Sequence, residues 1–263
     1  MDVTSAVILG IIQGFTEFLP VSSSGHLVLA QSLMTNFQQP GLLYDTLLHC
    51  ATLGAVLVYF RRRVLELIIS PLGLISNEFK IVYFENKRFL WGIIIATIPT
   101  GLIGLSLEHK VEGMFSTPVF VGYFLILTSV LLLLSDRFKG NSEIGWFSSL
   151  IIGIVQGISV IPGISRAGST TAAGLFLGIK REEMAEFTFL MSVPAIAGAA
   201  LLQSRHIAEV PAGEITAYAA GMIAAFVSGF FAIGFMVYFI KRANLKAFAL
   251  YCLIVGITAV IWM

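Results

Sequence analysis

Charged residues make up only 12% of this 263-residue chain, against 57% hydrophobic residues and a mean hydropathy of +0.91. That scarcity excludes an ordinary soluble domain, which needs more polar side chains to cover its surface. Runs such as Val119 to Leu134 carry no charge at all, so they face lipid or one another. Cysteine is nearly missing too. Cys50 and Cys252 both lie in apolar runs, where a thiol packs as a small hydrophobe rather than serving as a bridge or ligand. Neither charge sign is in surplus, with 16 Lys and Arg against 15 Asp and Glu, so nothing points to nucleic acid. The start, Met1-Asp2-Val3-Thr4, lacks the positive region of a secretory signal and reads as mature protein.

What is present is long apolar segments. Six of them, roughly 42 to 60, 88 to 107, 118 to 135, 187 to 203, 215 to 240 and 247 to 263, have the ~17 to 25 residues a membrane-crossing helix needs. Two more, 3 to 34 and 147 to 178, are too long for one crossing and are interrupted by Pro, Gly and Ser. Interrupted apolar segments predict re-entrant helix pairs, because non-helical backbone at membrane depth survives only against protein or a watery cavity. Cations test the layout, since cytoplasmic loops collect Lys and Arg. With the loop after residue 60 in the cytoplasm, that side holds Arg61, Arg62, Arg63, Lys80, Lys87, Arg88, Arg137, Lys139, Lys180, Arg181, Lys241, Arg242 and Lys246; the other holds Lys110 and Arg205. The first interrupted segment then dips in from outside and the second from the cytoplasm.

Opposed re-entrant segments predict an inverted repeat. At an offset of 143, Ile8, Gly10, Ile11, Gln13, Gly14, Ser22 and Gly25 match Ile151, Gly153, Ile154, Gln156, Gly157, Ser165 and Gly168, seven identities across positions 8 to 26. The expected fold is therefore an all-α polytopic membrane protein, a single membrane domain over 1–263. It has six transmembrane helices and two re-entrant pairs, in an inverted-topology repeat with halves at about 1–135 and 145–263.

The chemistry sits in the interruptions. The first reads QGFTEFLPVSSSGH, from Gln13 to His26. On a helix, Gln13 and Glu17 share a face, and a carboxylate at bilayer depth needs a cavity, a partner or a metal. Pro20 ends the first arm; Ser22, Ser23 and Ser24 can cap the second, with Gly25 and His26 in its opening turn. A serine-capped helix N-terminus suits phosphate. The second reads PGISRAGSTT, from Pro162 to Thr171, with Ser165, Gly168, Ser169 and Thr170 around the start of its second arm. Arg166 needs an anion at that depth, either phosphate, which its fork matches, or Glu17 as a structural bridge. Asp45 and His49, four apart at the head of a span, either extend this cavity or serve packing; His109 and His206 read as solvated.

These two motifs, Gln13 and Glu17 running into FLPVSSSGH and Pro162-Gly163 with Ser165-Arg166, resemble those of the bacterial undecaprenyl pyrophosphate phosphatases associated with bacitracin resistance, and the resemblance covers nearly the whole chain. It implies removal of the terminal phosphate from a polyprenyl pyrophosphate in the bacterial plasma membrane, with a divalent cation, Mg2+ or Ca2+, near Glu17. Catalytic roles then fall to Glu17, Ser23, His26 and Arg166. Phosphate contacts fall to Gln13, Ser22, Ser165, Gly168, Ser169 and Thr170. Ser23 and His26 both stay open as nucleophile, with His26 or Glu17 accepting the serine's proton. Many members carry Glu where this chain has Gln13, which removes one metal-binding charge. Membrane lipid is the expected surrounding, and a homodimer is the assembly left open. The charge count places the first segment's opening on the outer face. The rival function is a secondary transporter or lipid flippase, since inverted repeats with broken helices also serve alternating access.

Overall fold

A computed structural model describes residues 1–34, 42–114, 117–138, 140–204, 210, 212–241 and 245–263. Eleven α-helices are formed among them: α1 Val3–Phe18, α2 Ser23–Leu33, α3 Leu42–Tyr59, α4 Arg61–Ile69, α5 Lys80–Met114, α6 Pro118–Ser135, α7 Trp146–Ile158, α8 Arg166–Phe176, α9 Arg181–Gln203, α10 Ile215–Lys241 and α11 Lys246–Trp262. Among the described residues there is no strand, only an isolated bridge between Ser142 and Ile179. Of the cations and histidines weighed in the sequence, Lys139, Arg205, His206 and Arg242, with the side chains of His109 and Lys110, lie outside the described residues.

The interrupted segments are helix pairs, α1 with α2 and α7 with α8. Four helices, Asn77–Leu107, Pro118–Ser135, Arg181–Gln203 and Ile215–Lys241, are long and apolar enough to cross a bilayer. The pair Leu43–Tyr59 and Arg61–Leu74, bent by 83°, makes a fifth. The chain is thus an all-helical, multi-pass membrane protein; α11, with 17 residues, stops short of the length set for the others. The segment after residue 60, read from sequence as a loop, is instead helical. Its apolar side chains Leu65, Ile68, Leu74 and Ile75 are exposed and its Arg61 and Arg62 are too, an amphipathic pattern suited to a membrane surface.

Packing between helices rests on small residues, since lipid offers no hydrophobic drive to bring apolar helices together. A Cβ on Gly122 of α6 would lie 2.8 Å from the Gly256 carbonyl oxygen of α11, so only glycine permits that approach. In the same way α1 lies along α10, α5 along α7, and α3 on α9 and α10. Large side chains fill the centre: Phe18, Tyr44, Leu125 and Phe187 are fully buried, and Phe18 meets Phe189 edge-on at 5.7 Å. One end of the bundle is tied by ion pairs. Arg63 joins Glu186 at 2.6 Å and also Asn86, Arg88 joins Glu143 and Glu183, and Arg181 donates to the carbonyls of Asp136 and Phe138.

Candidate active site at the paired helix breaks

Each break is built by local backbone rules. Pro20 disfavours helix at the residue before it, and Leu19 turns extended at φ −72° and ψ 148°, ending α1. Ser22 then enters the left-handed region at φ 68°, the one non-glycine residue to do so among the described residues. The conformation is held because its hydroxyl accepts from Gly25 N at 3.3 Å, capping α2, and from Gly163 N at 3.0 Å, which belongs to the second break. The second break turns at Gly163, φ 95°. Thr128 of α6 pins it, donating to the Gly163 carbonyl at 2.9 Å and accepting from Ser165 N at 3.1 Å. Ser165 caps α8 through Gly168 N at 3.1 Å. The two breaks therefore touch, and two helix N-termini open onto one space.

At that junction lies Glu17, its side chain 1% exposed. One oxygen, Oε1, accepts from Arg166 Nη2 across the breaks. The other, Oε2, accepts from Ser23 Oγ at 2.6 Å and Gln13 Nε2 at 2.9 Å, and has His49 Nδ1 at 3.0 Å. A cavity of about 230 Å³ is lined by Glu17, Ser22, Ser23, Ser24, Ser165 and Arg166, together with His49, Thr100, Gln156 and Ser159. Arg166 Nη1 is buried there with no partner, a donor unmet by the protein and so available to an anion. A second space of about 580 Å³, walled largely by apolar residues such as Leu105, Val111, Pro194 and Leu202, shares Ser24, Thr46, His49 and Thr100 with the first.

Not every residue singled out from sequence faces the cavity. Gln13 does not line it but bonds Glu17. His26 turns away: Nδ1 sits 2.8 Å from the Ser22 carbonyl, Nε2 sits 2.8 Å from the Tyr251 hydroxyl, and the two rings stack. Ser169 and Thr170 point back to the carbonyls of Ser165 and Arg166 at 2.7 Å each, and Gly168 packs near Pro20. All three thus make contacts within or around the cap of α8. His49 is the member sequence weighed without deciding. Its signal was the four-residue spacing from Asp45, and Asp45 itself is buried, bonded to Gln31 at 3.0 Å. Thr100 and Gln156 were missed as lining residues; Gln156 had appeared only as the repeat partner of Gln13.

The donor chemistry does not fit a resident divalent cation. Glu17 has no second carboxylate beside it, both its oxygens are taken by hydrogen-bond donors, and one of those donors is a guanidinium. Among the described residues no three His, Cys, Asp or Glu side chains cluster as ligands. What the arrangement can do is hold a hydroxyl against a carboxylate that can take its proton, beside an unmet guanidinium donor. Geometrically this is what a serine nucleophile beside a base and an anion site requires.

Comparison with known proteins gives a consistent picture. The sequence profile of the family described as Bacitracin resistance protein BacA matches residues 6–258. The undecaprenyl-diphosphatase of Methanosphaera stadtmanae is 41% identical, the alignment covering 99% of this chain and 98% of that protein. That of Methanobrevibacter smithii is 39% identical over 98% and 96%. That of Syntrophotalea carbinolica is 41% identical over 97% of each.

Proposed function

Because the chain belongs to the Bacitracin resistance protein BacA family, we propose that its site performs the reaction for which these relatives are named. It is an undecaprenyl-diphosphatase, a multi-pass membrane hydrolase that converts undecaprenyl pyrophosphate to undecaprenyl phosphate and phosphate. The observation that carries this to particular atoms is the Ser23 hydroxyl donating at 2.6 Å to Glu17, the carboxylate that also pairs with Arg166. Ser23 Oγ attacks the terminal phosphorus while its proton passes to Glu17 Oε2. The bond from phosphorus to the bridging oxygen breaks, and the lipid monophosphate leaves with that oxygen and its electron pair. Water then attacks the phosphoserine, the Ser23 oxygen leaves and recovers the proton from Glu17, and phosphate is released. Arg166 Nη1 and the N-termini of α2 and α8 meet the charge that builds on the transferring group. His26, held by Ser22 and Tyr251, positions the first turn of α2 and is not the nucleophile.

The apolar space beside the site suits the polyprenyl tail. It runs toward Val111, Leu201 and Leu202, near the ends of α5 and α9 that the cation count puts outside, which supports access from the outer face. Six crossings, two re-entrant pairs and inverted halves at about 1–135 and 145–263 are the finer architecture of this reading. The swapped packing supports it: α1 lies on α10 while its counterpart α7 lies on α5, the counterpart of α10. Transport alone has no use for a serine hydroxyl held against a buried carboxylate and is not favoured.

Purified protein in detergent should release phosphate from undecaprenyl pyrophosphate, and Ser23→Ala, Glu17→Gln and Arg166→Ala should each lower kcat on the order of a hundredfold or more. Full turnover in all three variants would overturn the site.

A further inference from the structure

Glu17 meets one group that the chemistry above leaves without a role. His49 comes from α3, outside both breaks, and its Nδ1 lies 3.0 Å from Glu17 Oε2 and 2.9 Å from Gln13 Nε2. An unprotonated Nδ1 would set its lone pair against the carboxylate oxygen; with the hydrogen on Nδ1 it points at Glu17, and the Gln13 amide donates to the same oxygen rather than to the ring. Oε2 then has three donors, Gln13, His49 and Ser23. Two of them come from beyond the reacting hydroxyl and leave the oxygen little freedom except along the line to Ser23. Gln13 shares a helix with Glu17 and moves with it. Arg166 of α8 holds Oε1, and His49 is the donor from outside both breaks that holds Oε2, on a helix α3 that packs on α1, α9 and α10.

We propose that His49 is a positioning residue for phosphoryl transfer: its Nδ1–H clamps Glu17 Oε2 so that this oxygen, and not a rotated carboxylate, receives the proton of Ser23. The proposal rests on the assignment of Glu17 as the proton acceptor. A comparison within the chain supports it independently. At the offset of 143 that relates the two breaks, Gln13 is retained as Gln156, but Glu17 becomes Val160, and α9, which follows the second break as α3 follows the first, carries no histidine. Gln156 there spends its amide on Thr100 at 3.3 Å and on the Met191 carbonyl at 3.4 Å. Where the carboxylate is lost the imidazole is lost with it, as a clamp and its load should be, while the glutamine persists in both settings. His49 also keeps 29% of its side chain accessible and lines both the polar cavity and the apolar space. It therefore stands at the boundary between the two spaces.

The test is steady-state kinetics of phosphate release on undecaprenyl pyrophosphate with His49→Leu, His49→Asn and Glu17→Gln, alone and combined. A charge-assisted hydrogen bond lost at the base predicts that His49→Leu lowers kcat about tenfold to a hundredfold with KM changed less than about threefold. Asn places an amide N–H near the position of Nδ1, so His49→Asn should recover most of that loss, which a merely space-filling role would not reproduce. In the Glu17→Gln background the further loss from His49→Leu should shrink to about twofold or less, because the group being positioned is gone. An equal factor in both backgrounds, a loss carried by KM, or a His49→Asn as impaired as His49→Leu would overturn the clamp. If Glu17→Gln itself keeps full turnover, the acceptor assignment falls rather than the clamp alone.

Discussion

Ser22 is where removing one oxygen should be felt most widely, because a single hydroxyl serves both breaks. It accepts from Gly25 N and Gly163 N, at 3.3 and 3.0 Å, while its own backbone sits at φ 68°. Ser22→Ala removes the α2 cap, worth about 1 kcal/mol, and strands the buried Gly163 N–H, at about 1–3 kcal/mol. The left-handed backbone is no easier for alanine than for serine, so about 2–4 kcal/mol of destabilisation is expected. Ser22→Gly loses the same two bonds but is at home in that backbone, which returns about 1 kcal/mol. The order of stability should therefore be wild type, then Ser22→Gly, then Ser22→Ala. For a chain of this size that corresponds to a lowering of Tm by roughly 5 to 15 °C for the alanine variant, read by thermal unfolding in a fixed detergent. Phosphate release by the folded fraction should fall too, since Gly163 is released from the first break and Arg166 follows it. An alanine variant melting within a degree or two of wild type, or a glycine variant melting below it, would refute the role given to this hydroxyl.

Two further variants probe the anion site and the tail. Arg166→Lys keeps a charge but not a fork, so it cannot hold Glu17 and reach the phosphate at once; kcat should fall about tenfold to a hundredfold, and a lysine variant with wild-type turnover would remove the case for bidentate use. A Cβ at Gly101 meets nothing within 4 Å and the residue lines the apolar space, so Gly101→Leu should fold normally and raise KM for the full-length lipid severalfold while leaving a short-chain prenyl pyrophosphate unaffected. Equal KM changes for both substrates would put the tail elsewhere.

Much of this was legible in the sequence because burial in lipid makes charge conspicuous. Glu17 and Arg166 stood out as isolated charges in apolar segments, and the structure joins them directly. The helix pair on either side of Pro20 and the segment 118 to 135, observed as Pro118–Ser135, follow from proline chemistry and apolar length. Other helices outran their apolar stretches. The run beginning at 88 is part of a helix that starts at Lys80, and the one beginning at 187 starts at Arg181, because a helix continues into water where charged side chains favour it. The amphipathic α4 escaped notice because its apolar residues, Val64 to Ile69 around Glu66, follow three arginines and are far too few for a crossing. Rotation was beyond reach as well. Whether His26 faces the cavity or Tyr251, and whether Ser169 and Thr170 offer their oxygens or return them to their own helix, depends on contacts between helices far apart in sequence. So does the meeting of His49 with Glu17, across 32 positions, counting from 17 to 49.

The offset that aligns the breaks also explains how two similar segments make one asymmetric site. Ser23 and Arg166 are equivalent positions, each the first residue of the helix after its break. One copy therefore presents a hydroxyl and the other a guanidinium, at two N-termini that already favour an anion. Glu17 is the only carboxylate among the residues lining the polar cavity, and Arg166 is the cation that matches it. An unpaired charge of either kind would be costly in this setting, several kcal/mol in effective terms, so each charge needs the other where the breaks meet. On the proposed mechanism the fork serves both partners at once, Nη2 holding Glu17 while the unpartnered Nη1 is left for the substrate phosphate.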